Sequence, residues 1–345
     1  MTDNDSLITK ESLHYYSGGL MGSKKDKNIA KIWPIKVNKG SQGTMIIDGV
    51  SDDTYLKMLE NIGLIWIGTE EIITKNSIPS RVWTTFTEGA CQTLDVYSLW
   101  SDIAYSAHKA GNIEATKQAR KVNFGLISAS LRLRDVAKEY HFQLFHALGN
   151  GIKPDLRFTN VDILNLFLAL HSLLAEMCSV RDGLAGFASR VIFTKTNAVD
   201  SMGGLYKQLK KTPVQHPLAD KILEICDKNS QKGWMAWLGQ HRDNIMHNAP
   251  MPQHHNNDFV SYKLYDVKNI NVSDVKLPFL TYMINSNPYD TSPTSSKVDA
   301  LVFFRQMFLG LSQFAEVMVA FSPIRPETRS ITPIGEIKVE KVEII

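Results

Sequence analysis

The chain has 345 residues, of which 43% are hydrophobic and 21% are charged, and its formal net charge is +3. These values are typical of a folded protein with one large core or two domains, and they exclude a small disulfide-stapled scaffold and a disordered polar chain. The net charge is too small to bind nucleic acid through the bulk field alone, so any basic surface is expected to be local.

Cysteine usage and the apolar segments predict a cytoplasmic protein. The three cysteines are scattered, odd in number and free of CxxC spacing, so neither a disulfide framework nor a zinc ribbon is indicated. The N-terminal MTDNDSLITKE lacks a basic segment followed by an apolar run, and no signal peptide is expected. The most apolar segment, VDILNLFLALHSLLAEMCSV, is interrupted by Asn, His, Ser and Glu, which favours a buried helix over a membrane span. We expect no membrane partner and no cofactor.

Residues 1–80 differ from the rest of the chain in their pattern of apolar and turn-forming residues. Segments such as WPIKVNKGSQGTMIIDGVSDD and IGLIWIGTEEIITK mix short β-rich apolar runs with glycine and aspartate turn signals. This pattern predicts a small α/β or mostly β appendage with one short helix around residues 54–61.

From about residue 81 the apolar residues recur at three-to-four spacing with almost no proline, which is typical of amphipathic helices. Capping signals include Gly149 and Gly151 after one helix, and Ser296 with Asp299 before the last. The sequence therefore predicts a mainly α fold, a helical bundle over residues 81–325. The candidate helices are 83–110, 113–148, 161–193, 218–227, 231–247 and 298–321.

The bundle pattern is interrupted before the last helix. Residues 251–296 contain β-branched, partly alternating residues followed by a loop rich in Asn, Pro and Ser, which predicts a β insertion. The tail 326–345 alternates charged and apolar residues like one amphipathic strand, and it is a candidate to pair with the N-terminal strands.

The segment WLGQHRDNIMHNAP, residues 237–250, concentrates polar groups on the last turn of a predicted helix. Gly239 would let another helix approach closely. Pro250 is expected to end the helix near His247, where the negative end of the macrodipole stabilises an imidazolium. A histidine with a pKa near neutrality suits proton transfer, and Arg242 has donors that suit a phosphate, although the two lie about 140° apart on a regular helix. Asp243 could orient either partner.

The run from Arg242 to His247, RDNIMH, matches the R-[N/D/H]-x3-H signature of the HEPN superfamily, and residues 81–321 resemble that family in placing the motif late in a helical bundle. The resemblance implies a bundle that forms a homodimer in which two motif helices meet in a cleft. It also implies a metal-independent endoribonuclease, as in toxin–antitoxin, abortive-infection and phage-defence systems, with an RNA substrate and an inhibitory or antitoxin partner. Arg242 and His247 would be the catalytic pair. Asp243 would be the polar residue that follows the arginine in the motif, and it is a third candidate catalytic residue.

The second motif position is most often asparagine in ribonuclease members, whereas here it is Asp243. A carboxylate beside a reacting phosphate is repulsive unless it pairs with Arg242. The resulting hypothesis is that the ribose 2′-hydroxyl attacks the adjacent phosphorus, His247 acts as general base or acid, and Arg242 stabilises the equatorial oxygens. Two such helices about a two-fold axis, in contact at Gly239, would complete the site.

Other interpretations of these residues stay open. The arginine and aspartate can be solvated with His247 as a helix C-terminal cap, and a helical module that binds a partner protein or nucleic acid without catalysis fits the same polar turn. A metal site is disfavoured because no two of the nearby histidines have i,i+3 or i,i+4 spacing. These histidines are His241, His247, His254 and His255.

Six basic residues on the predicted helix 113–148 are candidates for contacts with an RNA backbone, where each neutralised phosphate steepens the salt dependence of binding. A solvated helix face is the default explanation for them. Trp234 and Trp237 could stack on unpaired bases, but their position on the apolar helix face favours core packing. The candidate RNA-binding residues are Lys117, Arg120, Lys121, Arg132, Arg134 and Lys138.

Overall fold

The computed structural model describes residues 8–26, 29–37, 42–48, 57, 59, 61, 63–75, 78–85, 96–248, 259–266, 275–289 and 295–327. Pro250, His254 and His255 lie outside these residues, and so does the tail from residue 328 onward, where the C-terminal strand was predicted. Residues 57, 59 and 61 have helical backbone, in agreement with the short helix predicted around residues 54–61.

The described residues contain ten strands. They are β1 (Ile8–Tyr16), β2 (Met21–Asp26), β3 (Ile29–Val37), β4 (Gln42–Asp48), β5 (Trp66–Lys75), β6 (Ile78–Thr85), β7 (Ser261–Asp266), β8 (Val275–Thr281), β9 (Met283–Asn285) and β10 (Lys297–Asp299). Eight of them form one sheet in the order β6-β5-β1-β2-β3-β8-β7, with β4 also paired to β3. Strands β9 and β10 form a separate antiparallel pair.

The prediction of a mainly α bundle is wrong because this sheet is a second major layer. Every pairing within it is antiparallel. The strands of the predicted insertion join those of the predicted appendage, as Lys36 of β3 pairs with Lys276 of β8. Residues 1–80 and the insertion therefore contribute to one eight-stranded sheet beside the helices, and the fold combines α and β layers.

Helices make up the second layer. They are α1 (Val96–Lys109), α2 (Ile113–Gly149), α3 (Ile163–Phe187), α4 (Met202–Lys211), α5 (Pro217–Ile225), α6 (Trp234–Asp243) and α7 (Ala300–Phe321). Short π-helical turns extend two of them, Ala188–Ile192 after α3 and Asn244–Asn248 after α6. Most of the predicted helices are present, but residues 83–85 belong to β6 and the ten-residue α4 was not predicted.

The core lies where α3 packs against α2, α6 and α7. Gly125 of α2 allows close packing, since a Cβ there would lie 2.8 Å from Cγ2 of Val180. Within the described residues the stretch Ile163–Ile192 is long and apolar enough to cross a membrane, and half of its most apolar window is buried. Its contacts with three neighbouring helices are those of a core helix.

The sheet docks onto α2 through the turn between β1 and β2. Gly18 and Gly19 have φ of 70° and 78°, a left-handed backbone that side chains with a Cβ rarely adopt. A Cβ on Gly19 would lie 2.5 Å from the carbonyl oxygen of Tyr140, so only glycine allows this approach. His141 Nδ1 lies 2.9 Å from the Gly19 carbonyl oxygen, which adds a polar contact to the same junction.

Candidate functional site

The motif residues lie where α6 changes from α to π geometry. Arg242 and Asp243 are the last two residues of α6, and His247 lies in the π turn Asn244–Asn248. Each hydrogen bond of a π turn spans five residues instead of four, so each residue advances less about the axis. The angle between Arg242 and His247 is therefore smaller than the 140° expected from a regular helix, and π turns of this kind are frequent at functional sites.

All three motif side chains reach the surface. The side chains of Arg242 and Asp243 are 32% and 49% exposed, and His247 is exposed. Arg242 Nε lies 2.9 Å from Asp243 Oδ1, but its N–H does not point along this contact, so the pair is held by charge and not by a hydrogen bond. The carboxylate at the second motif position is thus paired with the arginine.

Gly239 does admit a close neighbour, and that neighbour comes from the same chain. A Cβ on Gly239 would lie far inside van der Waals distance of Nη1 of Arg181, a buried residue of α3. The expectation that this glycine serves contact with a second copy is therefore wrong, because the guanidinium already fills the space. Asp182 anchors Arg181, with Nε and Oδ1 3.1 Å apart, and the same carboxylate oxygen accepts a hydrogen bond from the Met202 amide.

Two arginine–aspartate pairs thus lie side by side on α3 and α6, one joined by a hydrogen bond and the other by charge alone. Burial opposes the charge of Arg181, but Cys178, Asp182 and Asp243 outweigh it and raise the pKa of Arg181. Burial raises the pKa of the Cys178 thiol to about 11, although Arg181 and Arg242 act to lower it. At neutral pH this cysteine is a buried thiol and not a nucleophile.

Tyr289 borders the cluster from the segment after β9. Burial raises its pKa, Asp243 adds to that effect, and Arg181 opposes it. Lys228 Nζ lies 5.8 Å from the centre of the same ring. None of Arg181, Asp182 or Tyr289 was predicted as a site residue. The Arg-Asp dipeptide of the motif recurs in α3, but it also occurs at residues 134–135 of α2, so it does not by itself link α3 to the motif.

The apolar face of α6 lies away from this cluster. His241 is fully buried, and its ring contacts those of Phe303 and Phe304 edge to face. Trp234 and Trp237 are partly buried and line a pocket of about 500 Å³ between α6 and α7. The prediction that this face packs into the core is confirmed for His241, while the two tryptophans border a cavity.

The six candidate RNA-binding residues fall into two groups. Lys138 Nζ lies 3.0 Å and Arg134 Nη1 3.6 Å from Oε1 of the buried Glu70, and Arg132 pairs with Asp135 at 2.9 Å. These three cations are engaged by carboxylates. Lys117, Arg120 and Lys121 are exposed on the first half of α2 without a carboxylate of the described chain within ion-pair distance.

No protein-family model, curated protein or solved structure matches the chain. Among the residues that the structure describes, no group of three His, Cys, Asp or Glu side chains is arranged to hold a metal ion. A proposal for the function must therefore come from the geometry of the described residues.

Proposed function

We propose that the chain is a cytoplasmic, metal-independent endoribonuclease of the HEPN type, with Arg242 and His247 as its catalytic pair. The observation that carries the proposal is the α-to-π transition at the end of α6, which presents a partly exposed arginine and an exposed histidine on adjoining turns. These are the two groups that phosphodiester cleavage needs, a cation for the phosphate and a proton carrier.

Arg242 is suited to bind the reacting phosphate. Its contact with Asp243 uses Nε, and within the described chain no second carboxylate lies within ion-pair distance of the guanidinium. The edge formed by Nη1 and Nη2 is then the edge that meets two phosphate oxygens, in the bidentate geometry that arginine favours. Asp243 limits the motion of the guanidinium and has its own charge compensated, which lessens its repulsion of the substrate.

His247 is the group that moves protons. The 2′-hydroxyl oxygen attacks the neighbouring phosphorus, the bond to the 5′-oxygen breaks, and the products carry a 2′,3′-cyclic phosphate and a 5′-hydroxyl. The proton leaves the 2′-oxygen for a base and a proton is delivered to the 5′-oxygen, and His247 supplies one or both of these transfers. DNA lacks the nucleophile. By the HEPN resemblance, such an activity would serve phage defence or a toxin system and would be held in check by an inhibitory partner.

A second candidate is a non-catalytic module that binds a partner protein or nucleic acid. It is favoured by the charge balance of the cluster, since Arg242 is paired with Asp243 and Arg181 with Asp182. Four charges that compensate each other are what a structural polar cluster between two helices requires.

Incubation of purified protein with single-stranded and structured RNA in EDTA separates the two candidates. The ribonuclease is expected to release products with cyclic phosphate ends and to leave DNA intact. It should not cleave at a site where the nucleotide that supplies the 2′-hydroxyl has been replaced by its 2′-deoxy form. Arg242→Ala should abolish cleavage, while Arg157→Ala, an exposed arginine outside the site, should not. Intact RNA at high protein concentration would favour the binding module.

A further inference from the structure

The cavity between α6 and α7 is lined by aromatic rings. Its volume of about 500 Å³ is in the range of small-molecule sites in proteins. Trp234 and Trp237 of α6 and Phe303 of α7 form part of its wall, and all three residues are only partly buried. The indole nitrogen of Trp237 is shielded from solvent, so the surface that this ring offers to the cavity is carbon. Such a wall favours a flat aromatic ligand that stacks.

Two glutamines supply the polar part of the wall. Gln306 and Gln313 line the cavity and are exposed, and they lie seven residues apart, on the same face of α7. A glutamine amide both donates and accepts hydrogen bonds, as the edge of a nucleobase does, and it pairs well with N6 and N7 of adenine. The cavity thus combines a stacking surface with groups that match the edge of a base.

The charges of the lining narrow the class of ligand further. Among the described residues that line the cavity, Arg305 is the one with a charged side chain, and none is a carboxylate that could pair with an organic cation. A cationic ligand is therefore disfavoured. A base attached to a sugar phosphate is compatible with this lining.

We propose that this cavity binds an unpaired nucleobase, which stacks on the tryptophans while its edge meets the glutamines. Bases of a single strand are available for binding of this kind, since they are not engaged by a second strand. That the base belongs to RNA rests on the proposed ribonuclease function. A free nucleotide carries the same base, and the two sources differ in whether a strand is needed for tight binding.

The cavity lies apart from the motif at the end of α6. Trp237 precedes Arg242 by five residues, which is about 7.5 Å along the helix axis, and the two lie about 140° apart around it. A strand held at both places must pass around the helix, so the base in the cavity belongs to a nucleotide away from the cleaved bond. Loss of the base site should then raise KM for RNA and leave kcat nearly unchanged.

Tryptophan fluorescence tests the proposal. A short single-stranded oligodeoxyadenylate should quench part of the emission, because two of the six tryptophans line the cavity. An abasic strand of the same length keeps the sugar phosphates, and it should bind at least about fivefold more weakly and leave the emission unchanged. Adenosine monophosphate that binds as tightly as the strand would identify a free nucleotide as the ligand. Weaker binding would identify a strand, and the base is bound in both cases.

Two variants change the cavity from opposite sides. Trp237→Leu removes a stacking ring from α6. Gly310→Leu fills the space from α7, where a Cβ would meet Cζ2 of Trp234 at an ordinary 3.4 Å and leucine favours the helix. Each should weaken binding of the oligodeoxyadenylate at least about fivefold without a change in circular dichroism. Trp66→Leu is the matched control, a partly buried tryptophan of β5, and it should bind like the wild type.

Three outcomes would overturn the base site: emission that neither ligand quenches, quenching that persists in Gly310→Leu, or an abasic strand that binds as tightly as the oligodeoxyadenylate. DNA lacks the 2′-hydroxyl, so this binding does not depend on cleavage. Quenching by DNA without cleavage of RNA would support the base site and contradict the ribonuclease. Cleavage of RNA without quenching would do the reverse.

Discussion

The guanidinium of Arg181 occupies the space that a side chain on Gly239 would need, so that α3 and α6 meet at a glycine and an arginine. The contact brings the Arg181–Asp182 pair next to the Arg242–Asp243 pair. It explains why a glycine stands one turn before the motif. The glycine therefore gives no separate reason to expect a second copy at α6, and the homodimer that the resemblance implies stays a prediction.

Gly239→Ala is expected to destabilise the fold by about 1 kcal/mol or more, because the added methyl would displace a buried guanidinium from Asp182. Urea unfolding measures the change. Gly203→Ala is the control, since a Cβ there meets nothing within 4 Å. That substitution should be neutral or stabilise by about 0.4–1 kcal/mol. If Gly239→Ala is as stable as the control, the Arg181 side chain can move away at no cost, and its contact with Gly239 does not contribute to the stability of the fold.

Glu70 links the sheet to α2. It is buried, receives a hydrogen bond from the Tyr15 hydroxyl and pairs with Lys138 and Arg134. Glu70→Gln should cost about 1.5–3 kcal/mol, because it leaves charged donors without their carboxylate. The exposed Lys109–Glu327 pair provides the contrast, and Glu327→Gln should not change the urea midpoint measurably. Equal effects of the two substitutions would contradict the role given to Glu70.

Asp299 gives the stability a defined pH dependence. Burial raises its pKa to about 6, although its carboxylate accepts hydrogen bonds from the Val302 and Tyr282 amides and from the Tyr140 hydroxyl. The folded state therefore binds a proton that the unfolded state has lost between about pH 4 and pH 6, so this group destabilises the fold as pH rises through that range.

Asp299→Asn, which cannot ionise, removes this contribution. The free energy of unfolding of the wild type minus that of the variant should fall by on the order of 2 kcal/mol between pH 4 and pH 6.5. Urea unfolding at several pH values gives the difference. A difference that does not change with pH would show that Asp299 titrates as an ordinary carboxyl.

The exposed basic residues of α2 should set the salt dependence of RNA binding. Replacement of Lys117, Arg120 and Lys121 together by alanine should lower the slope of log affinity against log salt by about 2, if each contacts one phosphate of a single strand. Lys207, Lys210 and Lys211 on α4 form a matched exposed set for the control triple variant. If the two triple variants have the same slope of log affinity against log salt, RNA does not bind at the first half of α2.

The sequence predicted local features of this fold better than distant pairings. Helix α2 could be predicted from the sequence because its buried residues recur at helical spacing and Asn112 caps it. Helix α4 was missed because Gly203 and Gly204 lower helix propensity over a short segment. The sheet was underestimated because the pairing of Lys36 with Lys276 joins segments that no local pattern connects.

The residues of the candidate site also fall into those that a local motif predicts and those that only tertiary packing brings together. Arg242, Asp243 and His247 lie within six consecutive residues, so a motif could select them. Arg181 and Asp182 join them only because α3 packs against α6, and Tyr289 because its segment passes the same place. The π turn, which reduces the angle between Arg242 and His247 about the helix axis, was also unpredictable, since it depends on the packing at the helix end.

The rate of RNA cleavage in EDTA by His247→Ala, compared with His146→Ala, tests the proposed ribonuclease most directly. Loss of the proton carrier should slow cleavage by about 10²-fold or more, while His146→Ala, outside the site on α2, should cleave like the wild type. Folded His247→Ala protein that cleaves at the wild-type rate, or wild-type protein that leaves RNA intact, would contradict a catalytic role for the end of α6.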